Sequence, residues 1–238
     1  MVPIVTPTAI PMLIPETQAL QRLLQLVSPI LPVGAYSYSE GLETLVQQGQ
    51  LTTPHAVVQW LEQELQWGLV RLDAVAMKEV GYAIAQSDQT TVLALNRYLS
   101  ALRDTEESRQ QSWAMGRALN RMATQLEPDL QPWIDALDTP CNFAVSCGLL
   151  ATHWQIESQT MVLGYLQSWA TNLIAAAIKL VPLGQTVGQK ILLELTPVLD
   201  ATAGYCLTAD LDTTPLSSWG SSLASMQHET LYSRLFRS

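Results

Sequence analysis

The residues that come nearest to a catalytic signature are His228 and Glu229. An H-E-x-x-H helix would set two histidines on one face to hold zinc, with the glutamate as general base. Here the fifth position is Tyr232, so that metal site does not close. A second near miss runs from Gly184 through Gly188 to Lys190. A phosphate loop needs one more residue between its glycines, a lysine directly after the second, and then Ser or Thr for magnesium. Ile191 follows Lys190, so nucleotide binding by this chain alone is not expected. Ser37 and Ser39 sit between Gly34 and Gly41, but the G-x-S-x-G elbow is missing. Only His55, His153 and His228 are available for a triad. Glu106-Glu107 suits the first turn of a helix, where the dipole favours acids. No catalytic residue, metal ligand or cofactor is expected.

Two other features point to binding rather than catalysis. Lys179 is the first Lys or Arg after Arg121 and closes a long uncharged stretch, 158–178. A lysine there satisfies the helix dipole or offers a cation to a partner. After Glu229, the charged side chains are Arg234 and Arg237, set among Leu231, Tyr232, Leu235 and Phe236. This tail is a basic, aromatic tip on an acidic body. If helical, it would lay an apolar edge into a groove and offer its arginines to carboxylates. Free in solution it would fray, and it would order on binding, the alternative being that it folds back on its own domain.

The body has 238 residues, 48% hydrophobic and only 14% charged, where a quarter is usual. A weakly charged surface favours association. Net charge is −9, with no basic stripe, which argues against nucleic acid. Cys141, Cys147 and Cys206 are odd in number and widely spaced, so they read as small buried hydrophobes, not as a disulfide framework or zinc site. Prolines at 3, 7, 11 and 15, with no Lys or Arg before Arg22, make 1–15 an extended, flexible leader and not a signal peptide. The stretch 158–178 is interrupted by Gln, Ser, Thr and Asn, so it reads as a buried central helix and no membrane span is expected. A cytoplasmic protein is expected.

The elements that must position these residues are helical nearly throughout. Leu20, Leu23, Leu24 and Val27 fall at i, i+3, i+4, i+7, so 16–27 is a helix that Ser28-Pro29 stops. A second helix starts near Ser37 or Ser39 and ends near Gly49. Thr53, Asp88 and Asp104 or Thr105 read as N-caps, with Pro54 at a first helical position. The last cap opens a helix to about 125 whose inner stripe is Ser108, Ser112, Met115, Leu119 and Met122, with Gly116 nearby; small residues there imply close packing. Helices follow at 131–137, 141–152, 158–180, 185–195 and 198–209, and one more after Pro215. No segment alternates as a strand would. The expected fold is all-α, a single globular bundle of roughly ten helices over 16–225, with 226–238 as a partner-binding tail.

Four stretches, read in order, resemble the urease accessory protein UreF family. They are residues 23–43 (LLQLVSPILPVGAYSYSEGLE), the helix around Glu106, Arg109, Gln110, Ser112, Gly116 and Arg121, residues 165–189, and the tail from Ser225 (SMQHETLYSRLFRS). Ala35 and Tyr36 stand where many members have Gly and Phe, so altered geometry is expected at that turn. The resemblance implies an all-α, usually dimeric protein, not an enzyme, with no metal or cofactor of its own. It implies an adaptor that bridges UreD (called UreH in some organisms) and the GTPase UreG, and acts through that complex on apo-urease. GTP hydrolysis would then be coupled to nickel insertion. A helical regulator of another GTPase is the alternative, and a helical hydrolase with an unseen site is a third. The expected partner-binding residues are Tyr36, Ser37, Tyr38, Glu40, His228, Glu229, Tyr232, Arg234, Leu235, Phe236 and Arg237 on the UreD side. Lys179 and Gln185 are the candidates for the GTPase side.

Overall fold

The computed structural model describes residues 15–137 and 140–238. The expected leader lies outside the described residues except for Pro15, which opens the first helix. Eleven α-helices and three short 3₁₀ turns, with no strand, make up the described residues. The expected all-α class holds.

The helices are α1 (Pro15–Leu26), α2 (Leu42–Gln47), α3 (Pro54–Trp67), α4 (Leu69–Ala85), α5 (Gln89–Ala101), α6 (Glu106–Leu126), α7 (Gln131–Asp135), α8 (Phe143–His153), α9 (Ser158–Leu180), α10 (Gln185–Thr208) and α11 (Trp219–His228). The expected caps are present. Thr53 Oγ1 accepts from Ala56 N at 3.2 Å, Asp88 Oδ1 from Thr91 N at 3.0 Å, and Thr105 Oγ1 from Ser108 N at 3.1 Å. Each answers an amide that the helix start leaves without a partner.

The hub of the bundle is α4, not α9. α4 packs on α3, α5, α8, α9 and α10, and most of its residues are buried, including Arg71, Asp73 and Lys78. Two of those cations fasten the connection after α10. Lys78 Nζ donates to the Ala209 carbonyl at 2.6 Å, and Arg71 donates to the Pro215 carbonyl. α9 pairs most extensively with α10. It is long and apolar enough to cross a membrane by composition, but half of its most apolar window is buried against the bundle.

Two expectations about elements change. The residues 185–195 and 198–209 form one helix, α10, with Pro197 inside it. Proline removes one N–H, whose acceptor would have been the Leu193 carbonyl. Leu193 is 74% exposed and Pro197 is exposed, so the proline lies on the face of the helix that meets water. The turn at Ala35 also differs from expectation. The left-handed residue is Gly34, at φ 77°, while Ala35 opens a 3₁₀ turn, Ala35–Ser37. Alanine is therefore tolerated there without strain.

Close packing around α6 holds as expected. A Cβ on Gly116 would collide with the Cys141 carbonyl. Asn142 fixes that approach: its backbone N donates to Asn96 Oδ1 at 2.8 Å, and Ser112 Oγ donates to Asn142 Oδ1 at 2.9 Å. The three cysteines are free and buried. Burial pushes the Cys141 thiol up to about 11 and Cys206 to about 12, which suits inert packing.

Candidate functional site

The tail does not continue as a helix and does not project. α11 ends at His228, and residues 229–238 fold back against α2 and α6. The grip is made by Glu43 on α2. Its Oε1 accepts from Leu235 N at 2.8 Å and its Oε2 from Phe236 N at 2.9 Å. Beside it, Ser238 O accepts from Ser39 N at 2.7 Å and Ser39 Oγ at 2.6 Å. Arg237 N donates to the Ser37 carbonyl at 2.8 Å.

His228 cross-braces this clasp. It is fully buried, with Nδ1 2.7 Å from Glu107 Oε2 and Nε2 3.4 Å from Glu43 Oε2. Both ring nitrogens face carboxylates. Glu107 Oε1 also takes Arg234 Nη1 at 2.7 Å. α2 can lie this close to α11 because Gly41, at φ 81°, has no side chain. A Cβ there would sit 2.9 Å from Ala224 Cβ.

The clasp leaves a surface. Tyr232 is fully exposed, Leu235 is 64% exposed and Tyr36 is 72% exposed. Glu229, Arg234, Arg237, Lys179 and Gln185 are exposed too. Three expected partner-binding residues are corrected to the interior: Tyr38, His228 and Phe236 are buried, because the tail docks on its own body. Of the two readings of the tail, the structure shows the one in which it folds back on its own domain. Lys179 was assigned a surface apart from the tail, yet its Nζ lies 5.5 Å from the centre of the Phe236 ring. Gln185 shares no hydrogen bond with the tail or clasp among those described.

Glu40 belongs to a second arrangement, inside the bundle. It adopts φ 52°, a conformation uncommon for a residue with a side chain. Its carboxyl accepts from Trp169 Nε1 at 2.9 Å and Gln111 Nε2 at 2.8 Å. Burial pushes that carboxyl above its ordinary range, although the two donors pull it back. It lines a cavity of about 290 Å³ that also takes in Glu64, Asp73, Arg103 and Tyr165. Arg103 Nη2 reaches both Asp73 oxygens, at 2.7 and 2.8 Å, and the Tyr165 hydroxyl donates to Asp73 Oδ2 at 3.2 Å. Burial raises Glu64 to about 7, with Glu40 adding to the rise and Ser221 opposing it. Among the described residues no group of His, Cys, Asp and Glu could hold a metal ion.

Reasoning from sequence missed Glu43, Glu107, Asp73, Arg103, Glu64 and Trp169. Glu43 stood inside the first motif and Glu107 beside the second, but nothing local says that two acids 64 positions apart grip one tail. Asp73 carried a weak signal, a charge set within the apolar stretch of α4; Arg103, in the polar loop after α5, carried none.

Fold and clasp together define a helical protein that displays an ordered tail on its own surface. The comparisons give the family. The UreF family model matches residues 51–196. The chain is 49% identical over 217 residues to the urease accessory protein UreF of Nostoc sp., covering 91% of this chain and 95% of that protein. It is 49% identical over 224 residues to that of Microcystis aeruginosa, covering 94% and 99%. For Thermosynechococcus vestitus the identity is 46% over 224 residues, covering 92% and 98%. The chain belongs to the UreF family of urease accessory proteins.

Proposed function

We propose that this chain is a non-enzymatic adaptor in the maturation of urease. It bridges UreD (UreH) and the GTPase UreG, and couples GTP hydrolysis to delivery of nickel into apo-urease. Nickel is the cargo of that assembly, not a resident metal of this chain. The adaptor works in the cytoplasm, as a homodimer. The observation that carries this reading is the ordered tail, which presents Tyr232 and Leu235 to solvent while Glu43 and His228 anchor its backbone. A preformed, exposed aromatic and aliphatic pair loses little entropy on binding, which is what an anchor needs.

The UreD side consists of Tyr36, Tyr232, Leu235 and Arg237, with Glu229 and Arg234 at its rim. Ser37, Tyr38, Glu40, His228 and Phe236 act beneath it, as supports. Lys179 touches the tail, so the surface that meets the GTPase, including Gln185, runs close to the UreD side rather than apart from it.

The test is size-exclusion chromatography with light scattering on this chain mixed with UreD and UreG from the same organism. The double variant Tyr232→Ala, Leu235→Ala alters only exposed side chains, so its circular dichroism and melting curve should match the parent. We expect a ternary complex with the parent chain and none with the variant. A complex that survives the double substitution removes the tail from the interface. Failure of the parent chain to join either partner overturns the adaptor reading.

A further inference from the structure

The tail reaches further into the bundle than its grip on Glu43. Its last residue, Ser238, is 1% exposed and lines the same cavity of about 290 Å³ as Glu40, Gln111 and Trp169. Those four side chains form one series of hydrogen bonds. Ser238 Oγ donates to Gln111 Oε1 at 2.6 Å, Gln111 Nε2 donates to Glu40 Oε1 at 2.8 Å, and Trp169 Nε1 donates to Glu40 Oε2 at 2.9 Å. An amide side chain has an accepting end and a donating end. Ser238 takes the accepting end of Gln111, which turns the donating end toward the carboxyl. The tail, α6, α9 and the turn before α2 are thus joined through Glu40.

The turn that carries Glu40 is held away from a relaxed shape. Gly34, Glu40 and Gly41 all have left-handed φ, at 77°, 52° and 81°. Glycine takes that conformation freely, but for glutamate it costs energy and lasts only while neighbours hold it. Two sets of neighbours do so. On one side the tail holds the backbone of the turn: Ser39 N and Oγ both donate to Ser238 O, and Arg237 N donates to the Ser37 carbonyl. On the other side Gln111 and Trp169 hold the carboxyl. Removing the tail takes away the backbone contacts and the orientation of Gln111 together.

We propose that the tail and the Glu40 turn form a latch with two positions. With the tail docked, the turn is held in its left-handed form and Glu40 seals one wall of the cavity. With the tail undocked, the turn relaxes, the Glu40–Trp169 bond opens and water enters at that wall. The latch is a property of this chain alone. Its use in regulation rests on the adaptor reading: the surface proposed for UreD exists only while the tail is docked, so UreD closes the latch.

Hydrogen exchange of the full chain, followed by NMR, reads both ends of the latch. The Trp169 indole N–H, identified by its loss in Trp169→Phe, reports the Glu40 end, and the amides of 235–237 report the tail. Trp154 supplies the control, since its indole N–H donates to a carboxylate outside the latch, Glu127 Oε1 at 2.7 Å. Gln111→Leu interrupts the series in the middle. It should speed exchange at both ends at least about tenfold, the scale of one charge-assisted hydrogen bond, and leave Trp154 unchanged. Glu43→Ala, which acts at the tail, should speed Trp169 exchange by a similar factor. Tail amides unchanged in Gln111→Leu overturn the proposal, as does a Trp169 that stays protected once the Glu43→Ala tail has loosened. Faster exchange of Trp154 as well would mean general loosening and overturns it too. Should Glu43→Ala leave the tail docked, the Gln111→Leu result decides alone. Adding UreD to the parent chain should slow Trp169 exchange. A complex that forms without that slowing overturns the regulatory use, whereas no complex at all counts against the adaptor reading.

Discussion

At the residue scale, the buried carboxyls divide by what surrounds them. Glu43 is met by two backbone amides and His228, and so its charge is answered. Glu64 is not answered in that way, and burial lifts it to about 7 from an ordinary 4.5. A carboxyl whose folded value lies above its unfolded value favours the folded state when protonated. Its contribution is fully present below about pH 4.5 and is lost as the pH rises through about 7. Glu64→Gln keeps the shape and cannot ionise. The variant should gain on the order of 2 kcal/mol over the parent at pH 8, after discounting for partial solvent access, and little at pH 4. Urea unfolding at the two pH values measures the difference; an equal effect at both would refute it. The Asp73–Arg103 pair behaves differently. Asp73→Ala leaves a buried guanidinium without its counter-charge, and should cost about 3–5 kcal/mol in the same measurement.

At the element scale, two glycines decide how closely helices approach. Gly116 sits where α6 meets the Cys141 carbonyl, a backbone atom that cannot yield as a flexible side chain could. Gly116→Ala should destabilise the bundle by about 1–3 kcal/mol, read as a lowered melting temperature. Gly41 combines a left-handed φ with contact to Ala224 and Ser225 on α11. Gly41→Ala should therefore act locally, loosening α11 and the tail more than the core. Hydrogen exchange distinguishes the two cases: amides of 219–238 should lose protection while those of α4 and α8 keep theirs. Uniform loss would show that α11 is integral to the core.

At the scale of the whole molecule, the tail ties the C-terminal residues to α2, the turn before it and α6. Glu43→Ala removes the acceptor of two tail amides and one carboxylate facing His228, so the tail should detach while the bundle stays folded. Limited proteolysis should then cut beyond His228 in the variant and not in the parent. An uncut variant tail would mean that Ser39, Glu107 and Arg234 suffice. Because Lys179 lies over Phe236, Lys179→Ala should weaken both partner contacts together, not the GTPase contact alone. A loss confined to the GTPase response would restore two separate surfaces.

Much of this architecture is written locally. Thr53, Asp88 and Thr105 announce helix starts because a side-chain oxygen three residues from an amide needs no distant partner. Periodicity gave the helices, and residues 158–180 are bounded in the fold as the sequence implies. The four motifs carried the UreF resemblance. Three things were beyond local rules. Pro197 reads as a breaker, and only its place on the water-facing side of α10 lets the helix continue. The tail reads as free, because its anchors, Ser39, Glu43 and Glu107, lie more than 120 positions away and their grip depends on α2 and α6 meeting. The cavity had no signal, since its lining is drawn from α1, α3, α4, α6, α8, α9 and α11 and the loops between. The sequence by itself determined helices, caps and family, which rest on neighbours in the chain. Only the tertiary structure decided which charges are buried together, because burial is set by packing between elements that the chain does not place side by side.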